Sequence, residues 1–164
     1  MKFFTNKFSK PTERVLVRSR VKTECTIQFE GSECGAASFS TILRYFRKYV
    51  PLSELRLTTG VSRDGANAKL LIKAAEHYKM KHKVYKANKF VLNEITRYPC
   101  IVFWGFNHFV VLEGFEDNHA YIADPANGRY RVSLDYFWQK FTGYVLEFEP
   151  DVGFQPSGKF VPNL

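Results

Sequence analysis

Gly31-Ser32-Glu33-Cys34-Gly35-Ala36-Ala37-Ser38-Phe39-Ser40-Thr41-Ile42-Leu43-Arg44-Tyr45-Phe46 is the stretch that decides how this chain is read. Ala36, Phe39, Ile42, Leu43 and Phe46 recur at three- and four-residue steps, which predicts an amphipathic helix over residues 34–48. Cys34 falls at its start. A thiol in that position faces backbone N–H groups without helical partners and the positive end of the dipole, surroundings that favour the nucleophilic thiolate. The small residues at 35–37 let another backbone approach closely.

Outward from this helix the first half stays helical. Pro51 suits a first turn and predicts a short helix over 52–58 that Gly60 ends. Leu70, Leu71, Ala74, Ala75 and Tyr78 mark the buried side of a third helix over 66–79. The second half turns to strands. Runs rich in Val, Ile, Phe and Tyr occupy 82–86, 100–104, 107–113, 119–123, 129–132 and 143–149. Asp117-Asn118 and Asn127-Gly128 supply turns between them. Short helices are expected near 88–96 and 133–140, the second capped by Ser133. Helices followed by a mostly antiparallel sheet make an α+β domain. Its expected span is 25–149, between a basic lead-in over 1–24 and a Pro- and Gly-containing tail or linker over 150–164.

The strands contribute two more reactive side chains. His108 opens the apolar strand Asn107-His108-Phe109-Val110-Val111, where a neutral imidazole can take a thiol proton and later return it to a leaving amine. Asp124 ends Tyr121-Ile122-Ala123 and precedes Pro125. A hairpin turning near 117–118 can bring its carboxylate beside His108 to fix the tautomer. Gln28, six residues before Cys34, offers a side-chain amide for a developing oxyanion; losing one such donor costs about 10²–10³ in rate. Each residue alone has an ordinary reading: a packed cysteine, a structural histidine, an Asp-Pro turn and a polar surface glutamine. Together they fill every role in an acyl-transfer site.

Composition bounds the alternatives. A chain of 164 residues fits one domain and buries ~70% of its unfolded surface without disulfides or metals. Hydrophobic residues at 45% and aromatics at 16% exclude a disordered chain. Three cysteines without a CxxC pair argue against a disulfide framework or a thiolate zinc site and suit a reducing cytoplasm. His77, His82 and His119 lack ligand spacing with a third partner, and no P-loop or dinucleotide pattern occurs, so neither metal nor cofactor is expected. The uncharged run Pro99 to Leu112 is too short to span a bilayer, and Lys7 and Lys10 break any signal-like run. Residues 1–24 hold seven Lys or Arg against two Glu, five of the net eight positive charges. Such an end can be a solvated tail or touch an acidic partner.

The order Gln28-x5-Cys34, Asn107-His108-Phe109, Ala123-Asp124-Pro125 resembles the double-glycine leader peptidase domain of bacterial peptidase-containing ABC transporters. The similarity covers roughly residues 25–147 and takes in Glu33-Cys34-Gly35-Ala36-Ala37, Gly60-Val61-Ser62-Arg63-Asp64-Gly65 and Phe141-Thr142-Gly143. It implies a papain-like fold, a triad of Cys34, His108 and Asp124, and Gln28 in the oxyanion hole. It also implies a precursor peptide with a helical leader cut after Gly-Gly or Gly-Ala, and attachment to the membrane and ATPase regions of an exporter on the cytoplasmic side. Val61 to Gly65 and the tail are similar to the branch serving lanthipeptides with nitrile-hydratase-like leaders.

A slot that admits only small residues before the cut needs bulky walls. Trp104 and Phe106, just before Asn107-His108, are candidates, though ordinary packing also explains them. Tyr45, Phe46, Tyr49 and Leu52 can line a groove for the leader helix, and core packing explains them too. Three rivals stand beside the peptidase reading. A non-cleaving cargo-binding domain is expected to lack the nucleophile that is present here. Another Cys-His-Asp acyl-transfer enzyme lacks a reason for Gln28-x5-Cys34. A nucleic-acid module predicts salt-sensitive binding, and no recognition motif supports it.

Overall fold

The computed structural model describes residues 20–59, 67–105 and 107–159. Gly60, the Val61–Gly65 run and Phe106 lie outside the described residues, as do 1–19 and 160–164.

Helix α1 runs Cys34–Tyr45. It stops three residues before the expected end because Arg47 takes a left-handed conformation, φ 67°, and the Lys48 N–H turns back to the Leu43 carbonyl at 2.9 Å. Helix α2 follows over Leu52–Thr59 and α3 over Ala68–His77, where the Asn67 side chain accepts from the Lys69 N–H. Lys79, φ 62°, ends that element.

The remaining elements are β1 (Met80–Lys86), α4 (Lys89–Glu94), β2 (Cys100–Trp104), β3 (His108–Glu116), β4 (His119–Asp124), β5 (Gly128–Ser133), α5 (Leu134–Lys140) and β6 (Phe141–Pro150). They form one six-stranded sheet in the order β1-β6-β2-β3-β4-β5, with every pairing antiparallel. Asp117 and Asn118 both have positive φ, as a tight hairpin between β3 and β4 requires. Strand β3 outruns its expected end because Glu113, which closes the apolar run in the sequence, is buried and paired. Its carboxylate takes two bonds from Arg129, at 2.8 and 3.0 Å, and one from the Thr23 N–H at 3.0 Å.

Alternation along the strands gives two core layers. Ile101, Phe109, Val111, Ala123, Leu146 and Phe148 face α1, α2 and α3. Val102, Val110, Leu112, Ile122 and Val145 pack on the other face with Leu92 of α4 and Phe137 of α5.

Two boundaries differ from expectation. Within the basic lead-in, residues 20–24 lie on the sheet: the Val21 N–H donates to the Glu113 carbonyl at 2.9 Å, and Thr23 is buried. Gly114, φ 126°, permits this approach, since a Cβ there would stand 2.8 Å from the Arg20 backbone. Residues 150–159, expected as tail, fold back instead. Ser157 exchanges backbone bonds with Arg47 and Tyr49, and Phe154 packs on the core. No helix among the described residues is long and apolar enough to cross a membrane.

Candidate active site

The start of α1, the start of β3 and the end of β4 meet at one end of the sheet. Cys34 is the first residue of α1 and only 1% exposed, with its thiol free. Gly35 behind it faces the side chains of Leu71 and Phe109, each 3.5 Å from where a Cβ would sit, an ordinary packing distance. Helix α1 packs against β3 and brings the Cys34 sulfur beside the imidazole of His108, near enough to raise its basicity. The other side of that ring is committed: His108 Nε2 lies 2.8 Å from Asp124 Oδ1. Because the carboxylate can only accept, Nε2 carries hydrogen and Nδ1 is left for the sulfur.

Asp124 is held from every side. Oδ1 also accepts from the Ala126 N–H at 2.8 Å, while Oδ2 accepts from the Tyr130 hydroxyl at 2.9 Å and the Asn127 amide at 3.2 Å. The Asp-Pro turn and the site residue are one feature, since the turn's own N–H fixes the carboxylate. Burial alone would raise the Asp124 carboxyl, but His108, Ala126 and Tyr130 outweigh it and bring it down to about 2. Burial likewise would lower His108. Its bond to Asp124, and Cys34 beside it, reverse that and raise it to about 9.

Gln28 reaches the same neighbourhood through its backbone, whose N–H donates to the Pro125 carbonyl at 2.8 Å. Its side-chain Nε2 donates to the Glu30 carbonyl at 3.0 Å, and Oε1 is buried without a hydrogen-bond partner.

The expected substrate-binding residues separate. Asn107 is exposed in the turn just before His108, with φ 54°. Trp104 is 6% exposed and packs on Phe137 at 5.7 Å and Tyr136 at 6.4 Å, in the core layer away from Cys34. Its ring therefore fills the core and walls no slot. Tyr45 and Phe46 sit at the other end of α1, about 16 Å from Cys34 by helical rise. There they line a hollow of about 390 Å³ with Arg97, Tyr98, Phe148 and Pro150.

Four neighbouring residues escaped the sequence reading. Tyr130 is separated from Asp124 by a turn, and the Asn127-Gly128 hairpin signal was enough to place the two near one another. Glu33 and Arg56, an ion pair beside Cys34, carry no such signal, because the contact depends on how α2 packs. Cys25, three residues before Gln28, points its sulfur at the Asp124 carbonyl at 3.6 Å; burial first, and then the Asp124 charge, push its thiol up to about 12.

A free thiol beside an imidazole that a buried carboxylate orients, on helices packed against an antiparallel sheet, marks a cysteine peptidase of papain-like fold. The peptidase C39 family matches residues 22–153, and the chain belongs to that family. A probable microcin-H47 secretion/processing ATP-binding protein of Escherichia coli is 35% identical over 136 residues, 82% of this chain but 19% of that protein. The chain thus spans about a fifth of that curated relative's length. Among solved structures, a double glycine motif protease from an AMS/PCAT transporter, in complex with the leader peptide, superposes with a TM-score of 0.78. It is 45% identical, over 81% of this chain and 95% of that one. The peptidase domain of Streptococcus ComA, a bi-functional ABC transporter involved in quorum sensing, shares the fold, with a TM-score of 0.74 and 22% identity over 78% and 98% of the two chains.

Proposed function

We propose that this chain removes the leader from a ribosomally made precursor peptide, a bacteriocin or lanthipeptide, cutting after a Gly-Gly or Gly-Ala pair. In this reading it works on the cytoplasmic side, joined to the membrane and ATPase regions of a peptide-exporting ABC transporter. The observation that carries the reading is the 45% identity, over most of both chains, to a double glycine motif protease solved with its leader peptide. The secretion/processing role in the name of the Escherichia coli relative agrees with it.

The placement of His108 between Cys34 and Asp124 supports the following roles. Nδ1 of His108 takes the Cys34 thiol proton, and the sulfur attacks the carbonyl carbon of the second small residue. The carbonyl π pair moves onto oxygen, with the Gln28 amide as donor to that oxyanion. As the pair returns, the C–N bond breaks and Nδ1 delivers its proton to the leaving amine, the new N-terminus of the mature peptide. The leader is left as a thioester on Cys34. Water then gives a proton to Nδ1, its oxygen attacks the thioester, and the leader departs as a carboxylic acid while the sulfur recovers the proton. Asp124 keeps the ring in the tautomer and orientation these steps need.

The hollow lined by Tyr45, Phe46, Arg97 and Glu149 suits an amphipathic anchor of the leader helix, apolar with a polar or charged tip, about ten residues before the cut, since a helix rises about 1.5 Å per residue. The test is mass spectrometry of the products from a synthetic precursor with a helical leader ending in Gly-Gly, beside one ending in Val-Val. Cleavage only after Gly-Gly supports the reading. Equal cleavage of both, or no cleavage of either by enzyme whose Cys34 still alkylates, overturns it.

A further inference from the structure

We propose that Glu33 is a positioning residue that sets the place of the Gln28 amide relative to Cys34. This rests on the reading of Gln28 as an oxyanion donor and names what holds it there. Glu33 immediately precedes the nucleophile and is 4% exposed, an uncommon setting for a carboxylate. One oxygen, Oε2, accepts from the N–H groups of Phe29 at 2.8 Å and Glu30 at 3.1 Å. The other, Oε1, pairs with Arg56 Nε of α2. Burial would raise this carboxyl, but Arg56 and the two N–H donors outweigh it and hold it low, so it stays charged.

The consequence lies in what those two N–H groups belong to. Phe29 and Glu30 form the turn that directly follows Gln28, and the Glu30 carbonyl is the group on which the Gln28 Nε2 rests at 3.0 Å. The same carbonyl accepts the Glu33 N–H at 3.1 Å. Three bonds between residue 33 and residues 29–30 therefore tie the Gln28 turn to the first turn of the nucleophile's helix. At its other side the Gln28 N–H grips the Pro125 carbonyl beside Asp124. A charged acceptor makes shorter, stronger bonds to backbone N–H groups than a neutral one, and a site loses much of its rate when a donor moves by as little as 1 Å. Glu33 touches no reacting atom. It acts through the turn.

A mutant cycle separates this from simple stabilisation. On the Gly-Gly precursor, Glu33→Gln is expected to lower kcat about tenfold or more with KM nearly unchanged, and to leave the iodoacetamide labelling rate of Cys34 within about twofold. Gln28→Ala is expected to cost about 10²–10³ in kcat. The double variant is expected to be no worse than Gln28→Ala alone, because the turn has nothing left to aim. Costs that multiply, or Cys34 labelling that falls in step with kcat, overturn the proposal while leaving the cleavage reading intact. Full kcat in Gln28→Ala overturns the oxyanion role and this proposal with it. Should Glu33→Gln fold poorly, Arg56→Gln loosens the same carboxylate from α2, and the same non-additivity with Gln28→Ala is expected.

Discussion

The Tyr130 hydroxyl donates to Asp124 Oδ2 at 2.9 Å, across the turn that joins β4 to β5. It leaves Oδ1 for His108, so two oxygens of one carboxylate serve two tasks. Tyr130→Phe removes one of four bonds to Asp124 and keeps the shape. A loss of about 1 kcal/mol is expected, which is several-fold in kcat, with KM unchanged in steady-state assays. Full activity would take Tyr130 out of the site.

Asp124→Asn changes more. The amide can present an N–H to the ring and stabilise the wrong tautomer. Activity is expected to fall by at least 10² yet stay measurable above Cys34→Ala, because the nucleophile and its base remain. An Asp124→Asn variant as dead as Cys34→Ala would give the carboxylate a role beyond orientation.

The pH dependence follows from His108. Its folded value of about 9 lies above the ordinary 6.5, so the imidazolium that protonates the leaving amine is depleted only as pH rises through about 9. The kcat/KM profile is expected to keep its alkaline limb near there, and Asp124→Asn to move the limb down, since the carboxylate that raises His108 is gone. The same shift acts on stability. A raised value contributes stability that is fully present below about 6.5 and is lost as pH climbs to about 9. Asp124, lowered to about 2, contributes stability present above about 4 and lost as pH falls toward about 2. Thermal melts of wild type and His108→Ala should converge above pH 9; a constant gap across the range would contradict the pairing.

Thiol labelling separates chemistry from exposure. Cys25 is the more exposed of the three cysteines, yet burial and Asp124 push it up to about 12, and fully buried Cys100 is raised well above the ordinary range. Among the three cysteines, Cys34 is the one that influences the His108 imidazole. Iodoacetamide followed by peptide mapping is expected to find Cys34 alkylated first, and faster in wild type than in His108→Ala. Labelling in order of exposure would contradict an activated sulfur.

The hollow at the far end of α1 has its own signature. Tyr45→Ala is expected to raise KM for the full precursor severalfold while leaving kcat/KM unchanged for a short peptide that holds only the residues around the cut. Equal losses on both substrates would place Tyr45 in structure and not in leader binding.

Much of this was legible in the sequence because it depends on local order. The apolar period after Cys34, the alternation around His108 and the hairpin signal at Asp117-Asn118 fix three elements, and those elements bring Cys34, His108 and Asp124 to one end of the sheet. Long-range packing was not legible. Trp104 reads as a pocket wall because it neighbours His108 in sequence, but the strand turns its ring into the opposite core layer. Glu113 reads as a strand end because it is charged, but Arg129 and Thr23 neutralise it inside the fold. Ser157 and Phe154 read as tail because Pro and Gly surround them, but they close on residues far away in the chain.

The most direct test is the rate at which Cys34→Ala releases mature peptide from a Gly-Gly precursor, with its melting temperature measured alongside. No detectable release, with melting close to wild type, is the expected result. A loss of only a few-fold would put the attacking atom somewhere other than Cys34 and contradict the site.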